Sequence, residues 1–268
     1  MAEILSLPFM QRALLGGILV GFLASYYGVF VVQRGLSFMG SGLAHAAFGG
    51  IALGLLLRTE PLWIAVPFTI TVAFGITFVK SRTALGSDTA VGIFFAVSMA
   101  LGIIFLFLTQ QYTADAFTYL FGSILAVNWT DISVTFVVVI VTLLAWPLWR
   151  RWAYATFDRE LAQTDRLPVK WDDYLLSILI AITIVVSIKV VGIVLIAAFL
   201  VIPPATARLF SRTFRMMTVS AFILSEASAI LGLFASYYMD VPSGATIILL
   251  QAFIFFVFML LVSVRIIK

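Results

Sequence analysis

The feature that most constrains this sequence is a succession of nine apolar runs, most of them close to 20 residues long. The hydrocarbon core of a bilayer is about 30 Å thick and needs about 20 apolar residues per crossing helix. Nine crossings would take roughly 180 residues, which leaves short loops and no separate soluble domain. We therefore predict an all-α polytopic membrane protein with one transmembrane domain over residues 1–268. The runs are 13–33, 36–57, 62–79, 90–108, 132–149, 174–188, 192–207, 216–238 and 244–264.

Composition supports this class. Hydrophobic residues make up 63% of the chain and charged residues 10%, against about 25% charged residues in soluble domains. This excludes a soluble enzyme, a nucleic-acid binder and a disordered linker. The chain has no cysteine, so it has no disulfide and no cysteine zinc site. The first run follows Glu3 without a basic region, so we expect a retained span and not a cleaved signal peptide.

One further apolar segment, 113–128, is short for a crossing, and we predict a re-entrant or surface helix there. Orientation follows from lysine and arginine, which are enriched in cytoplasmic loops. If loop 150–173 is cytoplasmic, only Arg12, Arg58 and Lys189 among the 16 basic residues lie outside. We therefore predict an external N-terminus and an internal C-terminus, provided that 192–207 crosses fully.

Four ionisable side chains in or beside the runs are candidate metal ligands. Charged groups at the bilayer centre cost about 2.5–3.5 kcal/mol each on insertion scales, so each needs a reason. His45, the only histidine, and Glu226 lie near the middle of their runs. Neutral imidazole is a common ligand of divalent metals, although packing is the alternative. Asp131 and Asp240 lie at run ends, where a helix N-cap and a turn are the alternative roles.

Backbone features add candidates for packing and gating. Pro203 and Pro204 predict a broken helix on the cytoplasmic side, which is frequent at transport sites. The pairs Gly17/Gly21 and Gly50/Gly54 have the GxxxG spacing that lets helices approach closely. Internal packing is the expected role of both pairs, and dimerisation remains an alternative.

Loop 150–173 contains a predicted amphipathic helix. Thr156 is the predicted N-cap, Phe157 and Leu161 lie four residues apart on one face, and Pro168 ends the helix. Such a helix between two spans favours docking of a cytosolic partner over a plain connecting loop. The sequence has no GxxxxGK[ST] motif, so uphill transport would need a separate ATPase or an ion gradient.

Taken together, six segments resemble the permease subunits of bacterial metal-type ABC importers, the zinc, manganese and iron family. The resemblance covers about residues 13–262 and is specific because all six segments occur in order. They are RGLSFMGSGLAHAAFGGIALG (34–54), SDTAVGIFFAVSMALG (87–102), YLFGSILAV (119–127), FDRELAQTDRLPVKWDDYLL (157–176), VGIVLIAAFLVIPPATARLFS (191–211) and SYYMDVPSGATIILL (236–250).

The resemblance implies a homodimeric permease in the bacterial cell membrane, two copies of a cytosolic ATPase and an extracytoplasmic metal-binding protein. ATP would bind to the ATPase, and this chain would hold no cofactor and interact with no nucleic acid. By the same resemblance, 157–168 is similar to the coupling helix that receives the ATPase. Its candidate contact residues are Phe157, Asp158, Glu160, Leu161 and Leu167.

One departure from the family concerns the metal site. Family members often carry an aspartate four residues before the histidine of the second span, and here that position is Ser41. The resemblance therefore transfers a ligand role to His45 alone, with Glu226, Asp240 and Asp131 as candidate sources of negative charge. Imidazole with few carboxylates favours zinc over manganese. We expect the ion to pass His45 and leave near Pro203 to Arg208.

Three other functions are open from the sequence. A permease for an iron chelate or cobalamin would share the architecture without needing His45. A secondary transporter would couple through Glu226 and would not need Phe157 or Leu161. An intramembrane hydrolase would use Ser41 and His45, which lie one helical turn apart, but the sequence shows no oxyanion-hole motif.

Overall fold

The computed structural model describes residues 7–109 and 127–264, which form eleven α-helices. The predicted re-entrant segment 113–128 lies outside the described residues except for its last two positions. The helices are α1 (Pro8–Gln33), α2 (Ser37–Leu56), α3 (Pro61–Arg82), α4 (Ser87–Thr109), α5 (Trp129–Leu144), α6 (Leu148–Phe157), α7 (Arg159–Thr164), α8 (Val169–Val191), α9 (Ile193–Phe210), α10 (Phe214–Met239) and α11 (Ser243–Ser263).

Within the described ranges, seven helices are long and apolar enough to cross a bilayer, namely α1, α2, α3, α4, α8, α10 and α11. A further crossing is formed if α5 and α6 count together, although they meet at 72°. Helix α9 is 18 residues long, about 27 Å at the α-helical rise. The all-helical membrane fold is confirmed, whereas the count of nine and the orientation remain predictions.

The prediction of one spanning segment over 132–149 is wrong, because the structure has two helices there that meet at 72°. Helix α5 ends at Leu144, and the chain turns through 145–147 before α6 begins. Pro147 occupies the N-cap of α6 with φ −58°, and a proline cannot donate the hydrogen bond that would continue the preceding helix. Hydropathy missed the bend because Trp146, Leu148 and Trp149 keep the sequence apolar across it.

The interior is built around α1, α2 and α8, most of whose residues are buried. Tyr26, Tyr27 and Phe30 of α1 are fully enclosed, and Phe30 packs edge-on against Trp152 of α6 with ring centroids 5.9 Å apart. Helices α4 and α11 are mostly exposed apolar surface. Such outward faces suit contact with lipid because hydrocarbon replaces water as the solvent there.

Both GxxxG pairs are used for packing within the chain. A methyl group at Gly50 would lie 2.7 Å from Cα of Ala65 in α3, and one at Gly54 would lie 2.7 Å from Cα of Pro61. At Gly21 a methyl group would lie 2.8 Å from Oε1 of Glu226 in α10, whereas at Gly17 it would lie 3.9 Å from Cβ of Ala229, an ordinary contact. The close approaches at Gly21, Gly50 and Gly54 confirm internal packing.

The predicted break at Pro203 and Pro204 is wrong, because α9 runs without interruption from Ile193 to Phe210. Pro204 removes the hydrogen bond that the carbonyl of Leu200 would accept. That carbonyl faces Gly28 of α1, where even one methyl group would collide with it. The absence of a side chain at Gly28 lets α1 pack against this freed carbonyl, and α9 passes both prolines without a break.

Candidate functional site

His45 lies on α2 with its ring half-buried. Its Nδ1 is 2.8 Å from the backbone carbonyl oxygen of Ser41. A carbonyl oxygen can only accept, so Nδ1 carries the hydrogen, and in the neutral ring Nε2 keeps its lone pair. Metal-binding histidines are commonly oriented by such a bond. The ring also packs edge-on against Phe95 of α4, with centroids 5.1 Å apart, which limits its rotation.

Ser41 contributes its carbonyl to this arrangement. A serine nucleophile needs its hydroxyl bonded to the base, whereas His45 bonds the carbonyl oxygen of Ser41. The geometry therefore gives no support to the hydrolase alternative. The spacing in the sequence could not distinguish a bond to the hydroxyl of Ser41 from a bond to its carbonyl oxygen, since both atoms belong to the residue one helical turn before His45.

Glu226 lies on α10 and points toward α1. A methyl group at Gly21 would be 2.8 Å from Oε1 of Glu226, so the absence of a side chain at Gly21 makes room for the carboxyl group. Among the described residues, neither carboxyl oxygen has a hydrogen-bond partner, although both are buried. An unpartnered acid inside a membrane domain is a functional candidate by default.

Asp131 is held by structural contacts. Its Oδ2 accepts from the backbone N–H of Asn128 at 3.0 Å, and its own N–H donates to Oδ1 of Asn128 at 2.9 Å. This is a capping box in which Asn128 is the N-cap and Asp131 the third helical residue, so the expected N-cap position for Asp131 was three residues too late. Lys189 at the end of α8 lies 3.0 Å from Oδ1 of Asp131 and 3.8 Å from Glu60.

Asp240 has the predicted turn geometry. It is exposed, has φ 53° in the left-handed region, and forms the C-cap of α10. Its N–H donates to the carbonyl of Ser236, which is a common way to end a helix. Within 7–109 and 127–264, no group of three or more His, Cys, Asp and Glu side chains could hold a metal ion. The four predicted ligands therefore do not form a closed site among the described residues.

The predicted docking helix is present but begins later than expected. Thr156 lies inside α6 and donates its hydroxyl to the carbonyl of Trp152. The N-cap is Asp158, whose Oδ1 accepts from the N–H of Leu161 at 2.9 Å, and α7 covers Arg159–Thr164. Thr156 does not act as the N-cap because its hydroxyl bonds to a carbonyl of α6, as threonine commonly does inside a helix. Asp158 therefore takes the N-cap position of α7.

The corner formed by α6 and α7 presents apolar side chains to solvent. Phe157 is 60% exposed and Leu161 48% exposed. Ala162 is buried on the opposite face of α7, where it packs with Ala155, Val169 and the half-buried Leu167. The side chain of Glu160 is exposed. The hydroxyl of Tyr154 in α6 donates a hydrogen bond of 2.7 Å to Oδ2 of Asp165, which raises the pKa of Tyr154 to about 12 and joins α6 to the residue after α7.

A network of ion pairs, which was not predicted from the sequence, connects this corner to the spanning helices. Arg34, which follows α1, lies 2.7 Å from Oδ1 of Asp173, and Arg159 of α7 lies 2.8 Å from Oδ2 of the same residue. Arg34 also donates to Oγ1 of Thr156 at 2.9 Å. The sequence feature that could have predicted these ion pairs is the pair Asp172 and Asp173 beside an apolar run, because acidic residues next to a membrane span need partners.

A model of the ABC 3 transport family matches residues 6–262. The chain belongs to this family. It is 36% identical over 246 residues to the high-affinity zinc uptake system membrane protein ZnuB of Haemophilus influenzae, covering 91% of this chain and 94% of that protein. It is 34% identical over 250 residues to the manganese transport system membrane protein MntC of Listeria monocytogenes, covering 93% and 89%.

Solved structures agree with this assignment. The structure titled PsaBC from Streptococcus pneumoniae in complex with Fab matches with a TM-score of 0.85 and 34% identity, covering 96% of this chain and 93% of that one. A putative metal-chelate type ABC transporter in an inward-facing conformation matches with a TM-score of 0.76 at 14% identity, which concerns the fold alone. The family that the six segments indicated is confirmed, and with it the location as a multi-pass protein of the bacterial inner membrane.

Proposed function

We propose that this chain is the permease subunit of an ATP-driven importer for a divalent transition metal ion. The observation that carries the proposal is His45: a half-buried imidazole in a membrane helix whose Nδ1 is engaged by the carbonyl of Ser41. Its Nε2 is then an oriented neutral ligand, the form that borderline metals prefer. A single oriented ligand suits a permeating ion, which has to bind weakly enough to leave.

Zinc is our preferred ion. The relatives named above are described as zinc and manganese systems, so kinship supports both. Manganese favours oxygen ligands, whereas zinc readily takes imidazole. Because Ser41 stands at the position of the family's aspartate, the local ligand set is poorer in carboxylate oxygen. Glu226, whose oxygens are buried and unpartnered among the described residues, is our candidate for an additional oxygen ligand.

The protein partners follow from the same membership. We propose two copies of this chain, two copies of a cytosolic ATPase that hydrolyses ATP, and an extracytoplasmic metal-binding protein. We also propose an external N-terminus. Helix α8 carries one ion pair near each end, Asp173 with Arg34 and Lys189 with Asp131. The two residues of α8 lie about 24 Å apart along the helix, which is consistent with a helix that crosses the membrane from one face to the other.

The corner of α6 and α7 is the proposed ATPase contact. Phe157 and Leu161 are exposed apolar residues beside charged ones, while Ala162 and Leu167 attach α7 to the rest of the chain. An exposed apolar anchor inside a polar rim is typical of a protein interface. The contacts of Arg34 and Arg159 with Asp173 give motion of this corner a direct route to α1 and α8.

Metal uptake into proteoliposomes that contain the permease and its ATPase, with the metal-binding protein on the external side, tests the proposal. We expect ATP-dependent accumulation of zinc, and we expect His45→Ala to lower the uptake at least tenfold. Thr71→Ala is the matched control, because Thr71 is an exposed residue of α3 whose hydroxyl bonds only its own helix. Zinc uptake by His45→Ala at the normal rate and affinity would refute the role of His45.

Competition separates the ions and the rival functions. Excess manganese that abolishes zinc uptake would move the assignment to manganese. Uptake that continues without ATP but follows a proton or sodium gradient would favour a secondary transporter. Uptake of an intact iron chelate that His45→Ala leaves unchanged would favour the chelate permease.

The docking contact has its own test. Leu161→Asp places a charge in the proposed interface, and we expect the ATPase to dissociate on purification. Gln163→Asp is the control, since Gln163 is also exposed on α7 and takes the same charge. Equal retention of the ATPase by both variants would show that this corner is not the contact.

A further inference from the structure

A large cleft opens between the end of α3 and the start of α8, at the end of the molecule that carries α7. Its volume is about 1030 Å³. Five cationic side chains line it against a single carboxylate, that of Asp173. The cations are Arg34, Lys80, Arg82, Arg159 and Lys170.

The positive charge is only partly compensated. Asp173 is shared by Arg34 and Arg159. Among the described residues, Lys80 and Lys170 form no ion pair, and Arg82 lies 5.8 Å above the ring of Phe78. A divalent cation would be repelled from this cleft, so it is a poor exit route for the transported ion. An anionic group is the ligand that its charge fits.

The walls of the cleft are aromatic. Phe74 of α3 stacks on Tyr174 of α8 with ring centroids 4.8 Å apart, and Trp171 lies 6.4 Å from Tyr174. Trp171 is 75% exposed. Tryptophan and tyrosine near the ends of spanning helices lie at the level of the lipid headgroups. Lys80 and Lys170 occupy the same level, in the last turn of α3 and the first turn of α8.

We infer that this cleft binds the headgroup of an anionic phospholipid. Lys80 and Lys170 hold the phosphodiester, and the acyl chains leave along the exposed rings of Phe74 and Phe78. A basic pocket between spans next to an aromatic belt matches both ends of such a molecule, whereas free phosphate would leave the aromatic wall without a use. The inference goes beyond metal transport and needs none of the proposed metal ligands.

The test is the amount of phosphatidylglycerol that stays bound to the purified permease–ATPase complex, measured by native mass spectrometry. Membranes with phosphatidylglycerol and phosphatidylethanolamine supply both an anionic and a zwitterionic lipid. We expect K80Q/K170Q to weaken retention of phosphatidylglycerol on the order of tenfold and K80R/K170R to retain it. R150Q/R215Q is the matched control, because it removes the same charge from exposed residues outside the cleft.

A second measurement needs no variant. Raising the salt concentration should release phosphatidylglycerol from the wild-type complex and leave phosphatidylethanolamine unchanged, because the selectivity is electrostatic. Three results would overturn the inference: equal retention by K80Q/K170Q and R150Q/R215Q, displacement of the lipid by millimolar inorganic phosphate, or lipid bound by the permease alone and lost when the ATPase is present. The last result would assign the cleft to the ATPase.

Discussion

Arg34 donates a hydrogen bond of 2.7 Å to Asp173, so the residue that follows α1 is fixed to the beginning of α8. The same carboxylate holds Arg159 of α7 at 2.8 Å. Both partners of the first contact are largely shielded from solvent, with exposed side-chain fractions of 13% and 18%. One carboxylate therefore joins two spans to the proposed ATPase contact.

Removing this carboxylate should both destabilise and uncouple the protein. Asp173→Asn leaves Arg34 shielded without its counter-charge, and we expect a loss of about 2 kcal/mol. The checks are the thermal unfolding midpoint in detergent and the ratio of metal transported to ATP hydrolysed, both of which should fall. Asp88→Asn is the control, since Asp88 is an exposed acid in the first turn of α4, outside the proposed ATPase contact. An unchanged midpoint in Asp173→Asn would show that the pair adds nothing.

The N-cap of α7 gives a second prediction. Asp158→Ala removes the acceptor for the N–H of Leu161, which should cost about 1 kcal/mol of local stability. Asp158→Ser restores an acceptor and should recover most of it. Amide hydrogen exchange of 159–164 in the solubilised permease measures the effect directly. Equal protection in the alanine and serine variants would mean that the cap is not what holds α7.

A third prediction separates a structural Asp131 from a metal-binding one. Lys189→Met removes the cation that lies 3.0 Å from Asp131, leaving a nearly buried carboxylate without charge compensation. We expect a drop in unfolding midpoint, and we expect the double variant with Asp131→Asn to recover part of it. If Asp131 instead binds the transported metal, Asp131→Asn alone would weaken metal affinity while the midpoint stays unchanged.

A fourth prediction concerns the approach of α1 to α9. Gly28→Ala would force a methyl group into the carbonyl of Leu200, and overpacking of this kind costs about 1–3 kcal/mol. Gly92→Ala is the control, because nothing lies within 4 Å of the added methyl group there. Alanine favours a helix over glycine, so the control should be neutral or slightly stabilised. Thermal unfolding of both variants decides, and equal midpoints would contradict the close contact.

Glu226 provides the fifth prediction. Gln has nearly the same shape as Glu, and no hydrogen bond to the carboxyl oxygens within the described residues would be broken. We therefore expect Glu226→Gln to leave the unfolding midpoint within about 0.5 kcal/mol of wild type. Metal uptake is the informative measurement, since Gln cannot ionise and cannot replace a carboxyl group that transport needs. Normal uptake would remove Glu226 from the path.

Several features were determined by the sequence alone. Apolar runs of about 20 residues can satisfy their backbone in lipid only as helices, so the membrane fold followed from local composition. The six segments indicated the family because each resembles the corresponding segment of family members and all six occur in the same order. The short helix in loop 150–173 was predictable from its local sequence. Its bounds were not, because Phe157 ends α6 and Leu161 lies on α7, so the two residues do not share one helix face.

Tertiary structure decided the rest, because those outcomes depend on what a distant helix presents. The prolines at 203 and 204 lie inside a continuous α9, and Gly28 of another helix packs against the carbonyl of Leu200 that Pro204 leaves free. Asp131 has a cation only because the end of α8 brings Lys189 within 3.0 Å. The link between Arg34 and Asp173 joins residues 139 positions apart, and no local pattern encodes such a distance. The local sequence shows which groups need a partner, and the packing of the helices determines which partner each group has.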